Sequence, residues 1–166
     1  LNKINKEYEN KFKMVIGAGS SGPTTRWGSK NFSELINQLN KSDDYFFFLL
    51  CGPNEREIES EIVLNLNKKN FITLSDKNIE NLIPYLCASD MYVGNDSFGS
   101  HITSQSGKKS IVMLLDAPRA YTDYSQNYYQ MVPNGFDINE ITHGTNADPN
   151  LITVEEVIKT INQFRN

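Results

Sequence analysis

Short apolar runs alternate with stretches whose apolar residues recur three and four positions apart. The runs are Phe12 to Ile16, closed by Gly17, then Tyr45 to Leu50, Phe71 to Leu74, Met91 to Val93 and Ser110 to Leu115. Several are apolar at successive positions, as expected of strands covered on both faces. Between them, Phe32, Leu35, Ile36 and Leu39 form a helical stripe, as do Ile58, Ile62, Val63 and Leu66 behind Asn54 as a cap with Glu57 three residues on. Ile79, Leu82, Ile83 and Leu86 make a third stripe, in which Pro84 predicts a kink or a late start. Thr153 and Glu156 form a capping box before Val154, Val157, Ile158 and Ile161. The segment from Asp116 to Asn150 is irregular and rich in Tyr and Pro. The alternation predicts one α/β domain, a Rossmann-like three-layer sandwich with a mainly parallel sheet.

Such sheets bind ligands beyond the carboxyl ends of their strands, where loops meet helix N-termini. That directs attention to Gly17 to Trp27, Cys51 to Glu55, Asn95 to His101 and Asp116 to Tyr124. Gly17-Ala18-Gly19-Ser20-Ser21-Gly22 matches the G-x-G-x-x-G dinucleotide fingerprint, but that motif needs a helix starting within the glycines. Pro23 follows instead, and helical periodicity begins only near Ser29. The second strand also ends Leu50-Cys51-Gly52, without the acid that grips a ribose. An NAD or FAD site is therefore rejected.

Composition narrows the classes further. With 166 residues, 39% hydrophobic and 22% charged, the chain has the size and balance of one ordinary globular domain. The run Tyr45 to Cys51 is too short to span a bilayer, and no secretory signal opens the chain. A net charge of -4 argues against a nucleic-acid partner. Cys51 and Cys87 lack metal-ligand or redox spacing and are expected to be buried thiols in a reducing cytoplasm. The first residue is Leu1, not Met, which leads us to expect upstream sequence.

The segment Gly94-Asn95-Asp96-Ser97-Phe98-Gly99-Ser100-His101 follows a predicted strand and opens a helix. Asp96 or Ser97 is suited to cap it, and the free N–H groups of its first turn suit a diphosphate. His101, one turn in, adds a hydrogen bond or positive charge. The plainer reading is an Asp cap beside a partly buried His.

These residues resemble glycosyltransferase family 9, the bacterial heptosyltransferases that use ADP-heptose. The family carries Asp-Ser/Thr-Gly-x-x-His after the fourth strand of its C-terminal domain, and Asp96, Ser97 and His101 fall on it. Phe98 holds the family's glycine position, with Gly99 one place later. Ser20 and Ser21 look like the family's phosphate-touching hydroxyl pair. Thr25 stands where the family has Lys, so Arg26 takes the charge-neutralising role, and Trp27 is a packing residue. Cys51-Gly52-Pro53-Asn54-Glu55 is similar to the family's Gly-Pro-x-Glu turn, which gives Glu55 the ribose; its alternative is a first-turn acid complementing the helix dipole. The likeness covers about Met14 to Leu115. Arg119, Tyr121, Tyr124, Tyr128 and Tyr129 lie where the family has Gly-Pro-Thr, and either line the sugar pocket or interdomain cleft or pack a long connection.

The resemblance implies the donor-binding C-terminal half of a GT-B glycosyltransferase of lipopolysaccharide or other cell-surface glycan synthesis. The cofactor-type site would be Ser20, Ser21, Arg26, Glu55, Asp96, Ser97, Gly99 and His101, binding a nucleoside-diphosphate sugar such as ADP-heptose as substrate. No separate cofactor and no metal are expected. An acceptor-binding N-terminal domain, missing from this chain, would supply the carboxylate base, so no catalytic residue is assigned here. The acceptor would be a glycan or lipid-linked glycan, and the location cytoplasmic or peripheral to the inner membrane. The alternatives are a GT-B family using UDP- or GDP-sugars, and a non-catalytic nucleotide-binding α/β module. A flavodoxin-like regulator would need a phospho-acceptor acid where this chain has Gly17-Ala18-Gly19.

Overall fold

Six parallel strands form one sheet, in the order β3-β2-β1-β4-β5-β6. They are β1 (Phe12–Gly17), β2 (Tyr45–Leu50), β3 (Phe71–Thr73), β4 (Met91–Asn95), β5 (Lys109–Met113) and β6 (Tyr128–Met131). The computed structural model describes residues 8–165. Among the described residues, the helices that connect and follow the strands are α1 (Ser29–Leu39), α2 (Arg56–Leu64), α3 (Ile79–Ala88), α4 (Phe98–Gln105) and α5 (Val154–Arg165).

Strand period two sends alternate side chains to opposite faces, and both faces are dry. Met14, Ile16, Phe47, Leu49 and Val93 point to one side, where Leu35 and Ile36 of α1, Ile62 of α2 and Val157 and Ile161 of α5 cover them. Val15, Phe46, Phe48, Leu50 and Tyr92 point to the other, under Leu82 and Leu86 of α3. The run Tyr-Phe-Phe-Phe-Leu-Leu of β2 is buried along its whole length for that reason. This is the three-layer architecture expected from the sequence.

Four local details differ from expectation. The cap of α2 is Glu55, not Asn54, and its side chain is engaged elsewhere. Helix α3 starts at Ile79, where Asn78 Oδ1 accepts from Asn81 N at 3.0 Å, and continues through Pro84, so the late start does not occur. Burial of Leu82 and Leu86 on either side of the proline holds that helix against its missing N–H. Cys51 is buried as expected, but Cys87 lies on the outer face of α3 and is exposed. The sixth strand comes from within the irregular Tyr-rich stretch, where Tyr128 to Met131 pair with Ser110 to Met113. At the C-terminus the capping box forms as expected, with Thr153 N donating to Glu156 Oε2 at 3.0 Å and Glu156 N to Thr153 Oγ1 at 3.3 Å.

Candidate functional site

The chain leaves β1 through α1 on one face and leaves β4 through α4 on the other, so the neighbours β1 and β4 diverge at their carboxyl ends and open a crevice. Two glycines let the strands approach closely just before the chains part. Gly17 pairs with Gly94 across the strands, and a Cβ on Gly94 would collide with the Gly17 backbone. A Cβ on Gly17 would in turn strike the phenol of Tyr92, which fills the floor of the crevice. Tyr92 is fully buried, donates to Asn95 O at 2.7 Å and lies 3.1 Å from Ser97 Oγ; burial pushes its ionisation upward.

The loop after β1 is held open by side chains that cross the crevice. Asn95, fully buried at the end of β4, donates from Nδ2 to Ala18 O at 2.8 Å and accepts at Oδ1 from Trp27 N at 2.9 Å. Trp27 is buried and donates from Nε1 to Ile152 O at 2.8 Å, fastening the loop's far end to the start of α5. Pro23 to Thr25 form a single 3-10 turn and the helix that follows begins at Ser29, so no α-helix starts within the glycines of the rejected fingerprint.

Glu55 draws the loops after β1 and β2 together. Its Oε1 accepts from Ser20 N at 2.9 Å and from Arg26 Nη2 at 3.0 Å, while Oε2 accepts from Gly52 N at 2.7 Å. Gly19 is bare because a Cβ there would overlap that carboxylate. A carboxylate offers about four acceptor positions, so three donors leave one open.

Beyond the strand ends lies a cavity of about 830 Å³. Ser20, Ser21, Glu55, Asp96, Ser97 and Gly99 line it together, six of the eight expected site residues. Its far wall, for which the sequence offered no sign, is apolar: Leu50, Leu74, Ile79, Leu82 and Phe98, with Ser75, Lys77 and Asn78 at the margin. Ile79 and Phe98 are among the most exposed large apolar side chains of the fold. The glycine displaced by one position has a packing reason. A Cβ on Gly99 would run into Leu50, so this residue lets α4 sit down on the sheet while Phe98 turns outward over the cavity.

Ser97 precedes α4 in extended conformation, and its N–H donates to Ser100 Oγ at 3.4 Å. The amides of Phe98 and Gly99 have no intrahelical acceptor and carry the positive end of the helix dipole. Asp96 is not the cap. Its carboxyl group sits at the boundary of the large cavity and a second one of about 230 Å³, lined by Ser21, Thr24, Asp116, Tyr121 and His143 among others. Burial raises the pKa of Asp96.

Arg26 and His101 do not reach the large cavity's wall. Arg26 is turned onto Glu55 and also donates to Ser20 O at 3.3 Å, and its buried Nε has no partner among the described residues. His101 lies behind Asp96, its Nε2 3.5 Å from Asp96 Oδ1 and its side chain 38% exposed. Among the described residues no group of three or more His, Cys, Asp or Glu could hold a metal ion, and no helix is long and apolar enough to cross a membrane.

The model of glycosyltransferase family 9 (heptosyltransferase) matches residues 2–132. A lipopolysaccharide heptosyltransferase 1 of Campylobacter coli is 23% identical over 162 residues, which is 94% of this chain and 47% of that protein. Among solved structures, the E. coli ADP-heptose lps heptosyltransferase II superposes with a TM-score of 0.78 at 18% identity, over 98% of this chain and 50% of its own. The E. coli heptosyltransferase WaaC with ADP gives 0.74 at 17% identity, over 93% and 44%. The chain thus spans about half the length of these relatives.

Proposed function

The chain belongs to glycosyltransferase family 9, and from that premise we propose that it forms the donor-binding half of a two-domain glycosyltransferase. The observation that carries the proposal is the convergence of Ser20, Ser21, Glu55, Asp96 and Ser97 on one cavity beside the free first-turn amides of α4. Its volume lies within the roughly 300–1,000 Å³ of small-molecule sites, and its apolar wall with few polar groups is typical of them.

In this reading the base lies against Leu74, Ile79 and Phe98, and the ribose donates to the open position on Glu55. The diphosphate meets the amides of Phe98 and Gly99 and the hydroxyls of Ser20 and Ser21. When the sugar leaves, negative charge builds on the diphosphate, and fixed N–H dipoles facing it lower the barrier without reorganising. Arg26 serves by holding Glu55 and the Ser20 loop in place, a different role from direct neutralisation. The sugar extends toward the smaller polar cavity, with which the large one shares Ser21 and Asp96.

A carboxylate base and the acceptor, a glycan or lipid-linked glycan, belong to a partner domain that this chain does not contain. The whole protein would act in lipopolysaccharide or related surface-glycan synthesis at the cytoplasmic side of the membrane. A fold neighbour bound to ADP makes ADP the first nucleotide to test and ADP-heptose the first donor. Isothermal titration of the folded chain with ADP, UDP, GDP and AMP tests the proposal. ADP should bind, and AMP, lacking the β-phosphate, should bind at least about tenfold more weakly, equivalent to roughly 1.4 kcal/mol. No heat with any nucleotide would refute it.

A further inference from the structure

The imidazole of His101 stands between an acid and two phenols. Nε2 is 3.5 Å from Asp96 Oδ1, while Nδ1 is 2.7 Å from Tyr124 Oη and 2.8 Å from Tyr128 Oη. The two hydroxyls are 3.2 Å apart, and Tyr128 Oη is 3.3 Å from Ser100 Oγ. The ring lies nearly parallel to Tyr124, at 20°, and edge-on to Tyr128, at 74°. Neither tyrosine belongs to the helix that carries the histidine: Tyr124 is in the connection after β5 and Tyr128 is on β6.

We infer that Tyr124 and Tyr128 are positioning residues for the donor site, selecting, in the neutral form of the His101 ring, the tautomer with Nδ1 as an acceptor and the single proton on Nε2, directed at Asp96. A neutral imidazole has one N–H and one bare nitrogen. An ionised carboxylate only accepts, so the nitrogen beside Asp96 carries the proton. The bare Nδ1 then accepts from one phenol, and every remaining proton has a place. Ser100 donates to Ser97 O at 2.8 Å, Tyr128 donates to Ser100 Oγ or to Nδ1, and Tyr124 donates to Nδ1 or to the Tyr128 oxygen. The opposite tautomer sets a bare Nε2 against Asp96 and leaves two phenol oxygens competing for one N–H. The consequence for the site, which rests on the donor-binding proposal, is that an N–H directed at Asp96 from behind holds in place a carboxylate that lines both cavities and offsets part of its charge there. The Tyr-rich connection thereby orients a residue of α4 from across the sheet edge.

Nitrogen-15 NMR of the imidazole tests this, using long-range proton–nitrogen correlations at a pH where the ring is neutral. The chain has two histidines, so a His143→Gln background leaves His101 as the one signal. The expected result is a protonated Nε2 and an Nδ1 resonance in the hydrogen-bonded, unprotonated range. That resonance should move toward the value of a free imidazole nitrogen in Tyr124→Phe/Tyr128→Phe. ADP affinity should fall about threefold to tenfold in the double variant, the range of one oriented hydrogen bond, while affinity for adenosine is unchanged. Tyr124→Phe alone alters only an exposed side chain and should show the same shift in part. A protonated Nδ1 in the parent, or an Nδ1 resonance that does not respond to either variant, overturns the inference. If ADP fails to bind while the resonance behaves as expected, the donor reading falls and the tyrosine assignment stands.

Discussion

Replacing Asn95 by Ala should weaken the fold by removing one side chain that contacts no ligand. Asn95 is fully buried, and its amide pairs the carbonyl of Ala18 and the N–H of Trp27. Alanine leaves both backbone groups without those partners in a dry interior. Each orphaned buried group costs about 1–3 kcal/mol, so the sum is roughly 2–6 kcal/mol, toward the lower end if a water fills the space left by the carboxamide. Against a domain stability of about 5–15 kcal/mol this is a large fraction, and at about 2–4 °C per kcal/mol it lowers the melting point by roughly 4–24 °C. Urea unfolding followed by circular dichroism, with the slope checked for constancy, reads the change directly. Because Asn95 also fixes the loop carrying Ser20 and Ser21, nucleotide affinity should fall in whatever fraction remains folded. A loss below about 1 kcal/mol would refute the reasoning, because it would mean that the amide is not what satisfies those two groups.

Asp96→Asn should be at least as stable as the parent at neutral pH. Burial raises the pKa of this acid, so its folded-state cost appears as pH rises past the ordinary 3.8 and vanishes below it; pH-dependent urea midpoints should show the two proteins converging in acid, and a parent more stable at neutrality would contradict this. Glu156 shows the reverse sign. Its pKa is lowered chiefly by the Thr153 amide, so the stability it contributes is present above the ordinary 4.5 and lost as acid protonates it. Thr153→Ala should cost about 0.5–2 kcal/mol at neutral pH, by chemical denaturation, with a smaller loss in acid. Thiol labelling under native conditions should modify Cys87 alone, because burial pushes the Cys51 thiol up to about 12; mass spectrometry finding Cys51 labelled first would show that the wall beneath the cavity opens readily.

The strands and helices that bury apolar stripes were plain in the sequence because periodicity of two or three to four is what packing on a sheet imposes. The failure of the rejected fingerprint was equally plain, since Thr24 to Gly28 carries no helical periodicity and the helical stripe begins only near Ser29. Strand β6 was hidden because Tyr128 to Met131 is only partly covered and lies among turn residues, leaving no clear alternation to read. Glu55 was visible as a candidate, but not that Ser20, Gly52 and Arg26 would all converge on it, since those contacts join loops 29 and 35 residues apart as well as its own turn. Asn95 stayed hidden because a buried amide binding two backbone groups leaves no local pattern. The apolar wall of the cavity drew on β2, the loop after β3, α3 and α4, and only the sheet order brings those segments together.

The claim on which the account turns is that the first-turn amides of α4 hold a diphosphate, and a crystal structure of this chain soaked with ADP tests it most directly. The account predicts phosphate oxygens within hydrogen-bond distance of the Phe98 or Gly99 N–H, the Ser20 and Ser21 hydroxyls on the opposite side, and the adenosine against Leu74, Ile79 and Phe98. Density for ADP elsewhere on the surface, with the cavity at the strand ends holding only solvent, would contradict it.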